Sequence, residues 1–119
     1  MKKIRVIVVD DSALVRGLLT EIINRQSDME CIGAANDPLI AREMIRERNP
    51  DVITLDIEMP KMDGLTLIRN ARQLLRFTPI LALTTESQQA KRDEAKKLGA
   101  TGWLVKPVGG ADLVKVIRQ

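Results

Sequence analysis

The sequence predicts an α/β domain, a doubly wound parallel sheet with helices on both faces. Short apolar runs recur along the chain, and segments with apolar residues at helical spacing lie between them. No linker, repeat or low-complexity tract divides residues 1–119, so the five β-α units belong to a single domain. A chain of this length can bury about two-thirds of the surface its unfolded form exposes.

The first run, residues 4–9 (IRVIVV), is rich in β-branched residues and stops at Asp10-Asp11-Ser12, as a central strand would. Leu14, Val15, Leu18, Leu19, Ile22 and Ile23 follow at the spacing of a helix stripe. Residues 29–34 (MECIGA) make a more polar strand, suited to a sheet edge. Asp37-Pro38 opens a second helix carrying Ile40, Met44 and Ile45. Asp supplies an oxygen for the free amides of the first turn, and Pro gives up an amide that has no acceptor there. A third strand is expected at 52–55 (VITL), then a helix carrying Leu65, Ile68 and Leu75. The fourth strand is 80–83 (ILAL), and the helix at 87–98 has only Ala90, Ala95 and Leu98 as apolar residues. Gly99, just past Lys96-Lys97-Leu98, provides its stop. Residues 102–105 (GWLV) and a last helix with Leu113, Val114 and Ile117 complete the pattern.

Composition narrows the function. Hydrophobic residues make up 45% and charged residues 29%, and no apolar run approaches the roughly 20 residues of a membrane span. The opening MKKIRVIVVDD ends its short apolar part in two aspartates, which does not fit a secretory signal, so a cytoplasmic protein is expected. Cys31 is the only cysteine, which forbids an internal disulfide and reads as a small buried hydrophobe. The net charge of +3 is spread along the chain, against a nucleic-acid-binding arm. Histidine is absent, and this excludes a His-based hydrolase, a His-ligated zinc site and a His phosphocarrier. Chemistry must come from carboxylates, hydroxyls and lysines.

In an open parallel sheet, ligands bind beyond the carboxyl ends of the strands, at the topological switch point. The residues at those ends are Asp10, Asp11 and Ser12, then Asp56, then Thr84 and Thr85, then Lys106-Pro107. Singly, each has an ordinary reading: Asp11 or Ser12 as a helix cap, Thr84 as a strand end, Lys106 as a solvated charge. Together they place three carboxylates, a hydroxyl and a lysine on one rim. Three carboxylates repel one another, and an oxygen-only donor set suits Mg²⁺. Mg²⁺, a lysine and a hydroxyl around one carboxylate suggest phosphoryl transfer, with Asp56 as nucleophile. That explains why a buried strand ends in a bare aspartate.

Four segments, VVDDSALVR, DIEMPKMDG, LALTTES and GWLVKP, occur in this order over almost the whole chain. Together they resemble the receiver domain of two-component response regulators, chemotaxis type. The resemblance implies a flavodoxin-like sheet of strand order 2-1-3-4-5, and a Mg²⁺-dependent switch phosphorylated on Asp56 by the phosphohistidine of a sensor histidine kinase. It further implies that Asp11 and Asp56 ligate Mg²⁺ directly, Asp10 through water and Glu58 through its backbone carbonyl. Lys106 would pair with the phosphoryl group and Thr84 would hydrogen-bond it. Trp103, otherwise an ordinary edge-strand aromatic, matches a position whose rotamer follows activation. The output face implied is that of the 87–98 helix, the 102–105 strand and the last helix, engaging the flagellar switch or another output protein. No nucleic acid or membrane enters this scheme, and the only catalysis implied is of the domain's own phosphorylation and dephosphorylation.

Residues 1 to about 64 look more like the receiver of a chemotaxis methylesterase, and the second half more like a stand-alone chemotaxis regulator. The regulatory domain of a methylesterase and an engineered hybrid are the resulting alternatives. Glu58 is acidic where several stand-alone regulators carry Asn, so the phosphoryl lifetime does not carry over. A flavin carrier of the same fold would find its phosphate repelled by Asp10-Asp11. A Mg²⁺-dependent aspartyl phosphatase would expect D-x-D where Asp56-Ile57-Glu58 stands.

Overall fold

The structure is a computed structural model that describes residues 3–56, 68, 69, 72, 78–84, 93, 96–105 and 109–118. In chain order the elements are β1 (Ile4–Val9), α1 (Ala13–Asn24), β2 (Met29–Ala35), α2 (Pro38–Arg48), β3 (Val52–Asp56), β4 (Ile80–Thr84), β5 (Gly102–Val105) and α3 (Gly110–Arg118). Residues 68, 69, 72, 93 and 96–98 are also helical. The rest of the two helices expected over 65–75 and 87–98 lies outside the described residues.

The five strands pair in parallel in the order β2-β1-β3-β4-β5. β1 and β3 are central because their residues are apolar on both sides: Val6 to Val9 are fully buried, and all of β3 is buried. Successive residues point to opposite faces, so each strand feeds two cores. Ile7, Val9, Ile53, Leu55, Ile80 and Ala82 meet Ala41 and Ile45 of α2 and Ile68 on one side. Val6, Val8, Val52, Leu81 and Leu83 meet Leu19 and Ile23 of α1 and Leu113, Val114 and Ile117 of α3 on the other.

The more polar β2 is an edge, as its composition predicts. Its register slips between Val6↔Cys31 and Ile7↔Gly33, which makes Ile32 a bulged residue. The Arg48 guanidinium donates to the Ile32 carbonyl at 2.6 Å. A Cβ on Gly33 would lie 2.7 Å from that guanidinium nitrogen, so glycine is what admits the arginine. The bulge and the covering cation make this edge a poor template for another strand.

Boundary residues act as their chemistry requires. Ser12 caps α1, accepting from the Val15 amide at 3.2 Å, and Asp37 caps α2, accepting from Leu39 at 2.8 Å. Gly99 takes φ 115° with its amide on the Lys96 carbonyl, the left-handed stop expected there. Cys31 is only half-buried, its thiol donating to the Gly33 carbonyl at 3.4 Å. The apolar stripes are wider than the cores they serve. Leu14 and Leu18 are 84% and 52% exposed, whereas Leu19 and Ile23, one helix position round, are buried. Ile40 is exposed in the same way, and Ala41 takes the core position.

Candidate metal centre at the sheet rim

β1 and β3 lie side by side with Val9 opposite Leu55, so Asp10 and Asp56 emerge next to each other at the carboxyl rim. β1 crosses over to β2 on one side while β3 leads to β4 on the other, which makes this rim the switch point of the sheet. Asp56 is the last residue of β3 itself, one further than the apolar run suggests, and Thr84 likewise ends β4. Both are therefore set by strand register.

Carboxylate oxygens of Asp10, Asp11 and Asp56 lie within 4.8 Å of one another. Among the described residues this is the one such acidic group. Asp10 is fully buried, Asp56 is 2% exposed, and Asp11 faces solvent. At an effective dielectric near 20, two unit charges at that separation repel by about 3.5 kcal/mol. Burial adds the loss of hydration, and a cation held among the three carboxylates would offset both costs. The donors are hard oxygens with one side open to water, which fits Mg²⁺, an ion that retains several waters.

Hydrogen bonds to Asp10 hold the turn that presents the two β1-end carboxylates. The Asp10 amide donates to the Ala35 carbonyl at 3.0 Å, tying the turn to β2. Asp10 Oδ1 accepts from the Ser12 amide at 2.9 Å, and the Asp10 carbonyl accepts from Arg16 Nη1 at 2.9 Å.

Of the residues singled out from sequence, Asp10, Asp11 and Asp56 converge. The backbone of Thr84 stands at the neighbouring strand end, since Asp56 pairs with Leu83. The backbone of Trp103 lies in β5 opposite Ala82, on the side of the sheet away from β1. Glu58, Thr85, Lys106 and Pro107 lie outside the described residues, as do the side chains of Thr84 and Trp103. Arg16 was not anticipated: a guanidinium aimed at a main-chain carbonyl leaves no pattern in a sequence.

A parallel sheet with an acidic rim at its switch point defines the class, and comparison with known proteins defines the family. Residues 6–118 match the family model of the response regulator receiver domain, and the chain belongs to that family. It is 59% identical over 109 residues to the protein-glutamate methylesterase/protein-glutamine glutaminase 1 of Albidiferax ferrireducens, covering 90% of this chain and 29% of that protein. The chain thus spans less than a third of the length of such relatives. The response regulator domain of Thermotoga maritima CheB superposes with a TM-score of 0.91 at 37% identity, covering 99% of this chain and 96% of the other. A structure of the CheX-CheY-BeF3-Mg+2 complex from Borrelia burgdorferi gives 0.88 at 28% identity, covering 96% and 86%.

Proposed function

We propose that the chain is a phosphorylation-activated switch of two-component signalling in chemotaxis, with Asp56 as the phosphoacceptor. The observation that carries this is the triad of carboxylates within 4.8 Å at the switch point. An Asp56 oxygen attacks the phosphorus of a phosphohistidine on a sensor histidine kinase; the P–N bond breaks as the P–O bond forms. Mg²⁺, when bound, supplies the charge that neutralises the carboxylates and the incoming phosphoryl oxygens. Asp10, Asp11 and Asp56 would hold it with the Glu58 carbonyl. Burial of Asp56 at the end of a rigid strand fixes the direction of its attack and limits the water that could compete.

Lys106 then pairs with the phosphoryl oxygens, and Thr84 hydrogen-bonds them. Trp103 follows, and the face made by residues 87–98, β5 and α3 changes its affinity for the flagellar switch or another output protein. The chain has no further catalytic activity in this reading, and it works in the cytoplasm. No described helix is long and apolar enough to cross a membrane. The 59% identity to a methylesterase over 90% of the chain favours a second reading, in which the same switch is that enzyme's regulatory domain.

Trp103 is the only tryptophan, so its emission is an unmixed reporter. Beryllofluoride with Mg²⁺ should change that emission, and Asp56→Asn or Thr84→Ala should each suppress the change. Failure of fluorine NMR to detect any protein-bound fluoride would remove Asp56 as acceptor. Constant emission with Asp56 occupied would place the output route elsewhere.

A further inference from the structure

We propose that Arg16 is a positioning residue for the acidic rim, holding the β1–α1 turn in the form that presents Asp10 and Asp11 together to Asp56. The inference rests on reading that rim as the Mg²⁺ site and assigns it a residue beyond the carboxylates. Arg16 is half-buried in the first turn of α1, and its backbone amide closes that turn on the Ser12 carbonyl at 2.9 Å. Its Nη1 reaches back to the Asp10 carbonyl at 2.9 Å.

That carbonyl belongs to the peptide joining Asp10 to Asp11. Fixing its direction fixes the peptide plane, and with it the direction in which Asp11 leaves the chain. Asp10 has other restraints: its amide is on Ala35, its carboxylate on the Ser12 amide, and it is fully buried. Asp11 is exposed, so no packing holds its side chain, and the orientation of the preceding peptide carries more of the work. The guanidinium therefore acts on one carboxylate ligand through the backbone. Groups that orient ligands in this way typically change metal affinity by about 10–100-fold when removed.

The test is a calorimetric Mg²⁺ titration of the full chain at a temperature where circular dichroism shows every variant folded. Arg16→Met keeps the aliphatic stem and removes the donor. It should weaken Mg²⁺ binding about tenfold. Arg16→Lys, which can still donate to the carbonyl, should bind more tightly than Arg16→Met. Arg16→Leu, which also lacks a donor, replaces the methionine variant if that one does not fold. A variant that melts earlier but binds Mg²⁺ as tightly as the parent would show a purely structural arginine and overturn the proposal, as would Lys no better than Met. Asp11→Ala separates the two readings: parent and Asp11→Ala with equal Mg²⁺ affinity would overturn the metal site itself, whatever Arg16 does.

Discussion

Asp10 and Asp56 are buried acids beside Asp11, and a cation bound among the three would have a measurable consequence. A ligand that binds the native state alone stabilises it by mass action, by about 1.4 kcal/mol at ten times its dissociation constant. Millimolar Mg²⁺ should raise the melting temperature by several degrees, and Asp11→Ala should abolish the rise; an unchanged response in the variant would contradict the site. Thr54 shows the opposite case. It is fully buried between Val8 and Leu81, and its Oγ1 has no hydrogen-bond partner among the described residues. A buried hydroxyl left unpaired costs about 1–3 kcal/mol, and valine has nearly the same shape. Thr54→Val should therefore stabilise the fold by about 1 kcal/mol in urea denaturation. A loss instead would mean that the hydroxyl has a partner in solution.

Beyond its buried apolar face, the last helix is held by an arginine. Arg118 donates to both Asp28 carboxylate oxygens, at 2.7 and 2.9 Å, and to Gln26 at 3.2 Å, clamping α3 to the turn before β2. The hydrogen bond from Arg118, aided by its charge, holds the Asp28 carboxyl below its ordinary pKa against a smaller desolvation effect. A lowered folded-state pKa gives stability that is present above the ordinary aspartate range and lost as pH falls through the folded value. The melting-temperature gap between parent and Arg118→Ala should be constant near neutrality and shrink below about pH 4. The pair is exposed, so the gap is small at high salt; a gap that widens in acid would refute the assignment.

The elements were legible in the sequence where local chemistry decides them. Asp37-Pro38 and Gly99 mark the ends they should, and the polar 29–34 run is an edge strand. Periodicity did not tell Leu14 and Leu18 from Leu19 and Ile23, because adjacent stripes on a helix differ by one position and the sheet covers only one of them.

Over the whole molecule, strand order brings together aspartates 46 residues apart, as the arithmetic 56 − 10 shows. The candidate ligands were legible because parallel strands deliver their last residues to one rim, so chain position stands in for space. Arg16 was not, since its contact is with the main chain. The same architecture underlies the proposal that Asp56 is the phosphoacceptor. Borohydride reduces an acyl phosphate to the alcohol, converting a phosphorylated aspartate to homoserine and marking its place. After incubation with acetyl phosphate, Mg²⁺ and then borohydride, peptide mass mapping should find homoserine at position 56, and none without Mg²⁺ or in Asp56→Asn. Homoserine at position 10 or 11, or at none of the aspartates, would contradict the account.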